Sequence, residues 1–171
     1  MSKAGYWFIR VLFLNGLLLG EKGKCGAGIF ARKNKSGIAE FVYNYDGTIG
    51  GNNYSYGVSD KNGVVTFTYK SIRRRDLGKT EITVDKSVLD RLNQLYYKYR
   101  IAAWNGYSKY NSRIRDGKAF SLYIKFKNGK SLHAGGTNAF PARYGEFTQE
   151  MKSVLDPLRD EILGVAAEQT E

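Results

Sequence analysis

Short runs in which apolar and polar residues alternate, separated by Asn-Gly and Asp-Gly pairs, occupy the first half of the chain. Ala39–Tyr45 sets Phe41, Tyr43 and Tyr45 on one face, the two-residue period of a half-buried strand. Asp46-Gly47 turns the chain, and Asn53–Ser59 alternates again, with Tyr54, Tyr56 and Val58 set against Ser55, Gly57 and Ser59. The Asp60-Lys61-Asn62-Gly63 turn leads to a paired strand over Val64–Lys70. Lys79–Val84 closes a meander, and Gly28–Arg32 reads as a further strand ahead of it.

At Ser87 the period changes. Ser87 with Asp90 three residues on resembles a helix start, and Val88, Leu89, Leu92, Leu95 and Tyr96 follow at helical spacing, predicting an amphipathic helix over 87–99. A second hairpin follows. Phe120, Leu122, Ile124 and Phe126 point one way and Ser121, Tyr123, Lys125 and Lys127 the other, with the turn at Asn128-Gly129 and the return over Ser131–Ala134. Residues 144–164 are predicted helical, burying Phe147, Met151, Val154, Leu155, Leu158 and Ile162. Pro141 suits the approach to this helix, and Pro157 inside it predicts a kink or a break. Strands, then helix, hairpin and helix, define an α+β fold: a mainly antiparallel sheet of about six to eight strands with two helices packed on one face.

The N-terminus admits two readings. Val11–Gly20 is a mostly apolar run, long enough for a signal-peptide core and too short to span a bilayer. Asn15-Gly16 interrupts it, charged Glu21-Lys22 follows at once, and no small-x-small cleavage site appears. A hairpin with strands over Tyr6–Phe13 and Leu17–Leu19 is the preferred reading, which favours a cytoplasmic over an exported protein. Integral membrane insertion is not expected.

With 171 residues the chain is expected to form a single domain, 1–171. One cysteine, Cys25, rules out an internal disulfide, and with one histidine, His133, a Cys/His metal cage is out of reach. Gly-Lys pairs occur, but none sits in a phosphate-binding loop, and Gly20–Gly28 lacks the strand-then-helix setting of a dinucleotide site. No metal and no cofactor is expected. Charge changes the picture more. The net +11 is uneven: residues 61–118 hold 14 basic and 5 acidic side chains, whereas residues 144–171 hold 2 and 7. Glu146, Glu150, Asp156, Asp160 and Glu161 read as a solvated helix face. Arg73-Arg74-Arg75 is the densest basic run, and Arg113, Arg115 and Lys118 cluster after the first helix, with Lys125, Lys127 and Lys130 on the second hairpin. Tyr99, Tyr107, Tyr110 and Tyr123 alternate with these cations, a combination that suits polyanions and, with stacking aromatics, single-stranded nucleic acid.

Residues 104–141 are the richest in special residue types: Trp104-Asn105-Gly106-Tyr107, Asp116-Gly117, Phe120-Ser121-Leu122, Asn128-Gly129, and Ala134-Gly135-Gly136-Thr137-Asn138-Ala139-Phe140-Pro141. This run resembles an uncharacterised group of small bacterial domains, often found on lipoproteins or hypothetical proteins. Their pattern is Trp-Asp/Asn-Gly-Phe/Tyr, Asp-Gly-x-x-Phe-x-Leu, an Asp/Asn-Gly turn and Ala-x-Gly-x-Asn-x-Phe/Tyr-Pro. The similarity covers about residues 84–147 and implies no particular activity. The chain departs from the lipoprotein members in lacking a recognisable lipid-attachment cysteine.

Read from the residues, Trp104 and Phe140 plug the core, and Asn138 satisfies loop backbone groups. Alternatively Tyr107, Asp116, His133 and Asn138 converge in a pocket, with His133 as a general base oriented by Asp116. No nucleophile completes that set, so binding is expected over catalysis. The candidate binding residues are Arg73, Arg74, Arg75, Tyr107, Arg113, Arg115, Tyr123, Lys125, His133 and Asn138, and the expected partner is an acidic protein or another polyanion, nucleic acid being the alternative.

Overall fold

The computed structural model describes residues 36–47, 53–71, 80–114 and 117–168, all within a compact unit spanning Asn34–Glu171. The N-terminal hairpin, the Gly28–Arg32 strand and Cys25 lie outside the described residues. Seven strands are described: β1 (Ile38–Asp46), β2 (Tyr54–Lys61), β3 (Val64–Ser71), β4 (Glu81–Val84), β5 (Tyr107–Tyr110), β6 (Ala119–Phe126) and β7 (Ser131–Thr137). They form one sheet in the order β4-β3-β2-β1-β6-β7-β5. Every pairing is antiparallel except β5 with β7, which is parallel. The first helix, α1 (Ser87–Lys98), and the last, α2 (Tyr144–Glu168), complete an α+β fold.

Alternation along the strands becomes two faces of the sheet. One carries Phe41 and Tyr43 of β1, Tyr56 and Val58 of β2, Phe67 of β3, and Leu122 and Ile124 of β6, all buried. Register aligns them in cross-strand rows, Tyr69–Tyr56–Tyr43–Leu122–Ala134 and Ile82–Phe67–Val58–Phe41–Ile124–Leu132. A register shift between Ile38 and Glu40 marks a bulge, which lets Ile38 and Phe41 share the buried face although three positions apart. Leu89, Leu92, Leu95 and Tyr96 of α1 and Phe147, Met151, Leu155 and Ile162 of α2 complete this core.

The helix ends differ from expectation in two ways. Asp85, not Ser87, supplies the first cap: its carboxylate accepts the Ser87 N–H at 2.8 Å and its carbonyl the Val88 N–H at 3.1 Å. Pro157 does not divide α2, which is one helix from Tyr144 to Glu168. The carbonyl that loses its partner belongs to exposed Ser153, where solvent can satisfy it, while fully buried Leu155 and Ile162 hold the helix on either side.

Polar contacts tie α2 to the sheet. The Tyr43 and Tyr144 hydroxyls share a 2.6 Å hydrogen bond, and the Tyr56 hydroxyl donates to Asp156 at 2.5 Å. Arg159 pairs with Asp156 at 3.0 Å, and the Lys152 ammonium lies over the Tyr54 ring. Glu150 takes Lys98 at 2.5 Å and the Tyr99 hydroxyl at 2.6 Å. Asp156 and Glu150 therefore join α2 to its neighbours rather than forming a merely solvated face.

Candidate functional site

Both helices pack on the Phe41 face, so no described helix covers the opposite one. Register arranges the middle of that open face in three rows. The first runs Lys70–Ser55–Asn44–Ser121–Gly135–Ser108, the second Glu81–Thr68–Gly57–Val42–Tyr123–His133, and the third Thr83–Thr66–Ser59–Glu40–Lys125–Ser131. Hydroxyls and amides dominate. Asn44 donates to Ser121 at 2.8 Å and the Ser59 and Thr66 hydroxyls meet at 3.1 Å, so part of the first and third rows is fixed from within.

The face is not flat. A cavity of about 190 Å³ lies over Gly57, walled by Glu40, Val42, Ser55, Ser59, Thr68 and Lys70. Ser55 and Lys70 also line a larger cavity of about 580 Å³ that continues over Asn44, Asp46, Asn53 and Ser121. At the other side of the sheet Tyr123 and His133 face each other across β6 and β7, their ring centres 4.8 Å apart at 46°. Lys125 is exposed one row below. Near the Asn62-Gly63 turn, the Lys127 ammonium at 2.8 Å and the Gly63 N–H hold the Asp60 carboxyl below its usual value.

The candidate residues divide accordingly. Tyr123, Lys125 and His133 share the open face. Tyr107 does not: it pairs with Ala134 on the core side, half-buried against Phe120. His133 and Tyr107 thus project from opposite faces and do not meet in one pocket. Asn138 lies beyond β7 at φ 54°, its side chain accepting the Lys118 N–H at 2.8 Å and donating to the Ile114 carbonyl at 3.1 Å. Arg113 is an exposed loop residue. Arg73, Arg74, Arg75, Arg115 and Asp116 lie outside the described residues. Of the tyrosines interleaved with cations, Tyr99 is buried and bonded to Glu150, and Tyr110 is 69% exposed on β5.

The residues of the 104–141 run hold the backbone. Trp104 is buried, and Asn105 accepts the His133 N–H at 3.2 Å. Gly106, at φ 76°, donates its N–H to the His133 carbonyl at 2.8 Å. A side chain at Gly136 would strike the Ala139 carbonyl, and one at Gly117 the Asn138 amide. Phe140 does not plug the core: it is 38% exposed, stacked against both the Phe120 and Tyr144 rings, which also touch each other.

The described residues carry 15 of the 27 basic and 12 of the 16 acidic side chains, about +3 of the +11 net charge. The remaining basic excess belongs to 1–35 and 72–79. No group of three or more His, Cys, Asp or Glu side chains that could hold a metal occurs among the described residues, and no described helix is long and apolar enough to cross a membrane. No protein-family model, curated protein or solved structure matches the chain.

The groove over Gly57 was not foreseen from sequence. Its one visible signal was a glycine within the polar half of an alternating strand, beside Ser55 and Ser59. The walls come from β1, β2 and β3, neighbours in the meander, and the larger cavity adds Ser121 of β6, whose place beside β1 no local pattern encodes.

Proposed function

We propose that the protein is a non-catalytic binding module that uses the open sheet face and its basic margin to hold an acidic protein partner. One observation carries this reading: both helices lie on the Phe41 face, leaving the opposite face, with Tyr123, Lys125 and His133 along one side, uncovered by any described helix. Tyrosine supplies contact area at low entropic cost, and lysine steers an acidic partner. Arg73, Arg74, Arg75, Arg113 and Arg115 stay in this proposal as candidates from the sequence, Arg113 an exposed loop residue and the other four outside the described residues.

Single-stranded nucleic acid is the second reading, favoured by the Tyr123–His133 ring pair beside Lys125, a stacking surface next to a cation. Titration of the full chain with poly-glutamate, a single-stranded oligonucleotide and a matched duplex, each at two salt concentrations, separates the two. Saturable binding of poly-glutamate that drops at least five-fold in a Tyr123→Ala/Lys125→Glu double variant is expected. Preference for the oligonucleotide with a steep salt slope would replace the first reading by the second, and no binding at low salt would remove both.

A further inference from the structure

We propose that the groove over Gly57 is a binding site for a small polyhydroxylated anion, a sugar acid or a sugar phosphate. Gly57 sits mid-strand in β2 between Val42 of β1 and Thr68 of β3, a position where glycine weakens a sheet and where side chains normally pack. The fold explains several other glycines. Gly63, Gly106 and Gly129 adopt positive φ, and Gly117 and Gly136 have no room for a Cβ. None of these reasons applies at Gly57. Its φ lies outside the left-handed region, and the register on both sides is unbroken. A Cβ there would meet the Thr68 Cβ at 3.6 Å, an ordinary contact. What the missing side chain provides is space on the open face, and the smaller cavity fills that space.

The surrounding chemistry names the occupant. Lys70, Ser55 and Thr68 border the glycine, and among the described residues none of them has a side-chain hydrogen bond. One ammonium, two hydroxyls and, at the corner opposite Lys70, the Glu40 carboxylate surround a floor without a Cβ. An oxyanion fits at the Lys70 end, its lone pairs receiving the Ser55 and Thr68 O–H groups, while Glu40 accepts from the ligand's own hydroxyls. The larger cavity, joined to the first through Ser55 and Lys70, is lined by side chains that donate to and accept from hydroxyls, among them Asn53 and Ser121. Asp46 at its rim repels a second negative charge and accepts from hydroxyls, so the anionic end is directed to Lys70 and the polyol body toward Asp46. Carboxylate and phosphate satisfy the Lys70 end alike. The site shares no residue with the Tyr123–Lys125 surface, so the two proposals stand or fall separately.

Calorimetric titration of the full chain with glucose 6-phosphate, gluconate, glucose and inorganic phosphate tests it. At least one of the first two is expected to bind ten-fold more tightly than glucose and inorganic phosphate, and whichever does so identifies the anion. Gly57→Val should abolish that binding while leaving Tm unchanged or raised, because valine suits a strand. Lys70→Gln should weaken the anionic ligand at least ten-fold at unchanged Tm, and it carries the test if Gly57→Val fails to fold. Binding that survives both substitutions, equal affinity for inorganic phosphate, or no binding of either anionic sugar would overturn the proposal.

Discussion

Asn138 does three things at once in a left-handed backbone. Its amide oxygen takes the Lys118 N–H, its amide nitrogen gives to the Ile114 carbonyl, and its own N–H bonds the Lys118 carbonyl at 2.8 Å. Asn138→Ala should therefore destabilise the protein by about 2–3 kcal/mol, from two lost side-chain hydrogen bonds and a left-handed alanine. Asn138→Gly keeps the backbone and should cost about 1–2 kcal/mol. Urea denaturation of the two variants checks the order, and equal losses would show that the backbone conformation contributes nothing. At this scale the sequence was readable in kind: asparagine near glycines in a loop signalled backbone satisfaction. Which groups it satisfies was not, because Ile114 and Lys118 are some twenty residues away in the chain.

Among the elements, the hairpins were legible because alternation and turn chemistry agree. Asn62-Gly63 and Asn128-Gly129 carry both, and the glycines at 63 and 129 take the positive φ those turns require. The same alternation placed Tyr43 and Tyr56 beside Phe41 and Val58, which is where they are buried. Strand β5 had no such signal. Tyr107-Ser108-Lys109-Tyr110 is four residues long, mostly exposed, and paired in parallel with a glycine-containing strand. Pro157 predicted a kink or a break, and α2 is not broken there, since buried side chains anchor the helix on both sides. Replacing Pro157 by alanine restores an N–H opposite the Ser153 carbonyl and should raise stability by about 1–3 kcal/mol. Thermal unfolding checks this, and a fall in Tm would mean that the proline-shaped helix is required for packing.

For the whole molecule, acid and base should both be destabilising, for opposite reasons. Burial holds the Tyr43, Tyr56 and Tyr144 hydroxyls well above the usual 10.0, so the folded state keeps protons that the unfolded chain releases. Their contribution is intact below the ordinary tyrosine value and is lost as pH rises above it. The Asp85 carboxyl is held below the usual 3.8 by Ser87, and that of Glu150 below 4.5 by Lys98 and then Tyr99. Their contribution is present above those ordinary values and disappears as pH falls through the lower folded ones. The urea midpoint should therefore be level between about pH 5 and 9 and decline on both sides. Absorbance of tyrosinate at pH 11 should show these rings ionising only on unfolding. The α+β class followed from the order of elements along the chain, whereas the strand order did not. Nothing near Asn44 announces a partner 77 residues away at Ser121.

That long-range pairing of β1 with β6 also sets a timetable for the growing chain. Until residues 119–126 have left the ribosome, β1, the strand bearing Phe41 and Tyr43, is an unpaired border of the β1–β4 meander, as β4 is on its other side. A protein stalled or cleaved before β6 would present backbone N–H and C=O groups beside those rings, the arrangement that recruits other chains. Pairing with β6 covers that border and moves the open edge outward to β6, until β7 adds to it in turn.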